Sequence, residues 1–201
     1  MNIAFGLLVI LMLSVYDAAN AADINGSAAT LIRTIHPGGK IEQVVTGDLN
    51  NDGLDDVGYV VNWYDPSKGP ELAIGVLRGG PNGTFVPWTR TKRFEMGQRP
   101  PEVAIRGKSL YVSTMTTGLS WGNWETAQYS FRSGKLVRVG EDGLYRSPRL
   151  DHEPGPVTTK TSSINYLTCR EINSVTEGKK KRTEVASKVE NCKLRALEDF
   201  E

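Results

Sequence analysis

The sequence predicts an all-β protein, and three observations carry that prediction. Apolar and β-branched stretches recur at short spacing, turn residues separate nearly all of them, and no window past the first residues sustains a helical repeat for three turns. The stretches fall at residues 30–35, 41–46, 57–63, 71–77 and 84–88. Between them stand Pro37-Gly38-Gly39, Pro66 to Gly69 and Gly79-Gly80-Pro81-Asn82-Gly83. Residues of these kinds supply positive φ or fix a bend. Further along, Val103 and Ile105, then Leu110, Val112 and Thr114, then Ala127, Tyr129 and Phe131 alternate with more polar neighbours, the pattern of half-buried strands. Arg106-Gly107-Lys108, Ser133-Gly134-Lys135 and Glu177-Gly178-Lys179 punctuate them. The nearest helical candidate, residues 182–197, carries too many polar side chains on any one face.

A dozen or so short strands at such spacing predict a single domain over residues 22–201, a small β-propeller-like array or, alternatively, a β-sandwich or barrel. Residues 145–160 contain Pro148, Pro154 and Pro156 and cannot run as a central strand. They are expected to cross, exposed, from the main array to the last strands.

The first residues read as an address. Residues 3–15 are almost continuously apolar and are followed by Ala19-Asn20-Ala21, the small-x-small pattern of signal-peptidase cleavage. With Asp17 close behind, the run is shorter than the ~20 residues a spanning helix needs. Residues 1–21 are therefore expected to be a signal peptide cut near Ala21 or Ala22, leaving a soluble periplasmic protein with no membrane contact. Neither cysteine lies near that cut, so no lipid anchor is expected. Cys169 and Cys192, an even count in a chain bound for an oxidising compartment, are expected to form one disulfide.

Composition names no partner. The formal charge is +1, and loss of Asp17 with the signal makes it +2. Nucleic acid would call for a basic face with interleaved aromatics. The one dense basic run, Lys179-Lys180-Lys181-Arg182, follows a Glu-Gly turn signal and reads as a solvated hairpin tip, with a polyanion site as the alternative.

The strongest local signal lies in residues 48–56. Asp48, Asn50, Asp52 and Asp56 occupy positions 1, 3, 5 and 9 of a loop with Gly53 at position 6, which is calcium-loop spacing. Alternate side chains of a tight loop point inward, so Asp48, Asn50 and Asp52 can converge, with the Leu54 carbonyl and Asp56 closing the shell. An all-oxygen set suits Ca2+. Position 12 is Tyr59, so the bidentate Glu of a helix-loop-helix calcium hand is missing and a β-loop-β staple is expected. The plain alternative is a metal-free Asn/Asp/Gly turn.

This loop, followed by an apolar strand, resembles the calcium loops of integrin-type propeller repeats. Further markers follow in order: the stretch from Trp121 ending in Tyr129-Ser130-Phe131-Arg132, then Leu136-Val137-Arg138-Val139-Gly140, then Ser163-Ile164-Asn165-Tyr166-Leu167-Thr168. Together these resemble a family of exported bacterial β-proteins. Some of its members are similar to small propeller-like periplasmic inhibitors that act as immunity proteins against lysozyme-like antibacterial effectors. The resemblance implies a calcium-binding inhibitor with a protein partner, and carries over the loop residues one by one. It departs at Cys169, which stands where Gly commonly follows Leu-Thr.

No catalytic arrangement is legible. His36 and His152 sit at no spacing that suggests a zinc pair or a base beside a nucleophile, and His36 reads as a satisfied or solvated turn residue. Glu141 and Asp142 are adjacent and would face opposite ways on a strand. Asp65 and Glu71 form the remaining acid pair to test. The expectation is a protein that is not an enzyme. Ser120, Trp121 and Trp124, in a Gly-containing loop, are the candidate partner-binding residues, suited to protein contact or sugar stacking. The alternative is that the tryptophans pack back as core.

Overall fold

The computed structural model describes residues 26–67, 69–95, 99–118, 121–147, 157–178, 180–190 and 192–200. The expected signal peptide of residues 1–21, and with it Asp17 and Ala21, lies outside the described residues, as do Ser120 and His152. The described chain opens on a helix, α1 (Gly26–Ile35), where the β-branched density of residues 30–35 had pointed to a strand. Ala28 and Ile32, one turn apart, are fully buried, with Leu31 and Ile35 packed beside them. The two threonines are tolerated because their hydroxyls bond back four residues, Thr30 to the Gly26 carbonyl at 2.7 Å and Thr34 to the Thr30 carbonyl at 2.9 Å. Burial of one apolar face has overridden local propensity. Pro37 lacks the N–H to continue the helix, and the chain turns at His36.

Five strands make the first sheet: β1 (Lys40–Gly47), β2 (Asp56–Asp65), β3 (Gly69–Gly79), β4 (Phe85–Arg90) and β5 (Phe94–Glu95). The order is β1-β2-β3-β4, with β5 also paired to β3. Their apolar runs are continuous because β2 and β3 are buried on both faces. Val57, Tyr59, Val61 and Trp63, with Ala73 and Leu77, pack against α1. Val60, Leu72, Ile74 and Val76 face the other way, into the second sheet. Gly75 stands opposite Tyr59, and a Cβ there would collide with the Tyr59 ring. Its bareness lets the ring lie across β3.

The second sheet is a seven-stranded antiparallel meander: β6 (Glu102–Arg106), β7 (Ser109–Thr117), β8 (Gly122–Arg132), β9 (Lys135–Ser147), β10 (Thr158–Asn165), β11 (Arg170–Glu177) and β12 (Lys180–Lys188). Two-residue turns with both φ positive, Gly107-Lys108 and Ser133-Gly134, close the β6–β7 and β8–β9 hairpins. That geometry matches the natural twist of the strands. Val103, Leu110, Val112, Ala127, Tyr129 and Leu136 meet the inner face of the first sheet, joined by Leu49 and Leu197. The result is three layers: helix, five strands, seven strands.

The class is all-β, as expected, and the arrangement is two stacked sheets; the strand order does not display propeller blades. Residues 145–160 also differ from expectation. Thr158 pairs with Ser147 and Lys160 with Tyr145, so this segment is a hairpin connection within one sheet, and the prolines sit in residues 148–156, outside the described residues. Residues 182–197 hold no described helix of more than a single short turn, and β12 begins at Lys180, straight out of the Gly178 turn.

Two devices tie the ends together. At a bulge between Ile41 and Gln43, the Gln43 amide turns toward β6. It donates to the Val103 carbonyl at 2.9 Å and accepts the Val103 N–H at 2.7 Å. One side chain thus supplies both hydrogen bonds a neighbouring strand would make. At the far end Cys169 and Cys192 form the expected disulfide, Cα atoms 5.6 Å apart, joining the β10–β11 turn to the residues after β12. Cys169 has φ +53°, the left-handed conformation that glycine adopts freely. The cross-link holds a turn whose residue is not the natural one for it.

Candidate calcium loop and outer sheet face

Residues 48–56 connect β1 to β2 and are held by their own carboxylates. Asp48 Oδ1 accepts the N–H groups of Asn51 and Asp52 at 2.6 and 3.2 Å, and its Oδ2 accepts that of Gly53 at 3.0 Å. Asn50 Oδ1 accepts the Asp52 N–H at 2.8 Å, and Asp52 Oδ1 accepts that of Leu54 at 3.0 Å. Asn51 and Gly53 take positive φ, 64° and 84°, which winds the loop inward on Asp48.

Asp52 Oδ2 has two further partners, the Asn50 amide at 2.8 Å and the Arg78 guanidinium of β3 at 3.2 Å. The Asn50 bond, the Leu54 amide and Arg78 together hold the Asp52 carboxyl below its usual range, against a smaller opposing effect of desolvation. Asp56 is different. It is fully buried, its Oδ2 accepts the Leu49 N–H and its Oδ1 the Gly79 N–H, each at 2.9 Å. Burial pushes its carboxyl up, the two amides pull it down, and the charges of Asp52 and Asp48 add to the upward push.

The donor set fits a hard cation in chemistry. An ionised carboxylate offers about four lone-pair sites. The bonds above occupy three on Asp48, three on Asp52 and two on Asp56, so each keeps acceptor capacity. Among the described residues, however, no three His, Cys, Asp or Glu side chains are gathered closely enough to hold a metal as they stand. Asp48 and Asp52 wrap the loop, whereas Asp56 ties β2 to the end of β3. Arg78 and Gly79 are the residues that reading the loop alone missed, and no local signal could have found them, since β3 meets the loop only through strand pairing.

The other candidates resolve individually. His36 is buried at 6 % exposure. Its Nε2 lies 3.0 Å from the Tyr59 hydroxyl, and its ring stands edge-on to Trp63. Burial, then the charges of Arg90 and Arg93, lowers its pKa to about 4. It is the satisfied turn histidine, not a solvated one. Asp65 accepts from Ser67, and Glu71 pairs with Arg93, so the two acids have separate partners. Glu141 pairs with Arg138 and accepts the Tyr166 hydroxyl at 2.7 Å.

Trp121 is 41 % exposed, and Trp124, on β8, is half-buried with its ring over Gly122. Strand register puts Met115 and Leu144 directly beside Trp124. This row lies on the face of the seven-stranded sheet opposite the core, where no layer of described residues covers it, and Leu144 is 37 % exposed. Met115 and Leu144 were not singled out from the sequence, because only register brings them to Trp124. Elsewhere this face is a ladder of hydroxyls, with Ser113 bonded to Thr126 at 2.9 Å. Comparison with protein-family models, curated proteins and solved structures returned no match to the chain.

Proposed function

We propose that this chain is an exported, calcium-stapled periplasmic scaffold that inhibits a lysozyme-like peptidoglycan hydrolase by docking over its cleft, without chemistry of its own. The observation that carries the reading is the row of Met115, Trp124 and Leu144 on a sheet face that no described layer covers, together with the exposed Trp121 just before β8. Interfaces draw most of their energy from a few such anchors. The test is to mix the mature protein with candidate lysozyme-like enzymes. Complex formation and loss of lytic activity, both weakened by Trp121→Ala and Trp124→Ala, support the reading. Neither complex nor loss of lysis rejects it.

A second reading, a calcium-stabilised carbohydrate or cell-wall binding module, is favoured by the exposure of Trp121, whose ring could stack on a sugar. Binding across a panel of cell-wall glycans, with lysis by the hydrolases unimpaired, would select it.

In either case the ion would be held by Asp48, Asn50, Asp52, the Leu54 carbonyl and Asp56, and would fix the β1–β2 connection. An ion that binds only the folded chain stabilises it by RT ln(1 + [L]/Kd), about 2.7 kcal/mol at one hundred times Kd. Asp48→Ala is expected to lower the melting temperature in calcium and to erase its response to chelator. Equal melting of wild type and variant, with and without chelator, would contradict the metal.

A further inference from the structure

Between the inner sheet faces, where β5 and the residues after β12 meet the edge of the sandwich, lies a cavity of about 400 Å³. That is within the range of small-molecule sites, roughly 300–1,000 Å³. Its floor is apolar, formed by Leu72, Phe94, Val112 and Ala127, and Phe200 closes one side with its ring 5.2 Å from that of Phe94.

Three arginines from separate parts of the chain line it: Arg99 after β5, Arg138 on β9 and Arg195 after β12. Arg138 is fixed in place by its ion pair with Glu141 and by the Tyr166 ring, 5.5 Å below its guanidinium. Even so, its Nε is buried with no hydrogen-bond partner among the described residues. A buried N–H without an acceptor is costly, whereas the Arg138 side chain as a whole is 23 % exposed and can meet an acceptor through its accessible atoms. Among the described residues Arg99 and Arg195 form no ion pair.

Glu95, Glu125 and Asp199 also line the cavity, so the wall is balanced in charge. The last two are occupied by neutral donors, Glu125 by the Asn123 amide at 3.0 Å and Asp199 by the Ala196 N–H at 3.2 Å. A polyanion would meet these carboxylates; a single negative charge placed on the arginine side would not. We propose that the cavity binds a small organic monocarboxylate with an apolar stem, the carboxylate on Arg138 and Arg195 and the stem on Leu72, Phe94, Val112 and Phe200. The inference is independent of the docking row and of the calcium loop.

Phe200 lines the cavity and is one of five phenylalanines, so its ring can be followed by fluorine NMR in the full chain labelled with 4-fluorophenylalanine. The probes are 3-phenylpropionate, 3-phenylpropan-1-ol and 3-phenylpropylammonium, which share a stem and differ in head group. The acid is expected to shift the Phe200 signal saturably and to bind about tenfold or more tighter than the alcohol, with the ammonium weaker still. Arg195→Gln, at an exposed position, should weaken the acid and leave the alcohol unchanged, and Arg138→Gln should abolish the preference for the acid. If Arg138→Gln does not fold, the acid-to-alcohol ratio and Arg195→Gln decide alone. A Phe200 signal unmoved by millimolar acid, equal binding of acid and alcohol, or an Arg195→Gln chain that binds the acid undiminished would each overturn the proposal.

Discussion

Burial pushes the Asp56 carboxyl above its usual range while the Leu49 and Gly79 amides pull it back, so this one side chain is both a cost and a clamp. Removing it leaves two N–H groups unpaired in a dry site, each costing about 1–3 kcal/mol. Asp56→Ala is therefore expected to destabilise by about 2–5 kcal/mol, and Asp55→Ala, an exposed neighbour, by less than about 0.5 kcal/mol. Urea midpoints of the two variants compare them directly. His36 supplies the pH dependence. Its folded pKa lies near 4, below the unfolded value of 6.5, so the folded state resists protonation. The associated stability is present above pH 6.5 and is lost as pH falls toward 4, up to about 3 kcal/mol. Urea unfolding at pH 7 and pH 4.5 should show that loss, and His36→Asn should reduce it. At this scale the sequence was most legible as a tight turn over residues 48–56, because Asp, Asn and Gly favour such turns. It was silent on Gln43 and Arg78, whose partners come from strands far along the chain.

Gln43 acts where two elements meet. Its amide is the seam between β1 and β6, and Gln43→Ala exposes the Val103 N–H and carbonyl with nothing to replace them. The variant is expected to lose about 1–3 kcal/mol and to speed hydrogen exchange at the Val103 amide, while Leu110, one strand in, stays protected. Nearly every strand was legible as an element: the continuous apolar run of residues 57–63 announces burial on both faces, and the alternation in β7 and β8 announces burial on one. Helix α1 was not. Residues 30–35 have the β-branched density of a strand, and what makes them helical is an apolar stripe, Ala28, Leu31, Ile32 and Ile35, that needs the outer face of β2 and β3 to bury it. A partner of that kind is invisible from ten residues.

Across the whole molecule, packing is uneven. Of the twelve residues of the inter-sheet core, ten lie on strands from β2 to β9, Leu49 in the β1–β2 loop and Leu197 in the short last turn, and no described residue of β10 and β11 is buried. Those strands extend the sheet past its covering layers and lean on their ladder bonds and on the Cys169–Cys192 bridge. The bridge spans 23 residues and so contributes about 3 kcal/mol by restricting the unfolded chain. Cys192→Ser should therefore raise hydrogen exchange in β11 by about tenfold or more, yet leave Val60, Ile74 and Val112 protected. Uniform loss of protection would show that the two halves unfold as one. Which sheet each strand joins was not legible, because it depends on long-range register, and a propeller and two stacked sheets can share the same local alternation.

The same bridge redirects mechanical load. A pull applied beyond Cys192 would ordinarily strip the meander from its free edge, breaking the ladder pair by pair at low force. Because β11 and β12 lie inside the covalent ring, tension bypasses both and arrives at Cys169, on the turn that β10 leaves. The outermost strands are thus shielded from traction, and the hydrogen bonds that feel it are first that of the Arg138 N–H to the Arg195 carbonyl, 2.7 Å, and then those between β10 and β9.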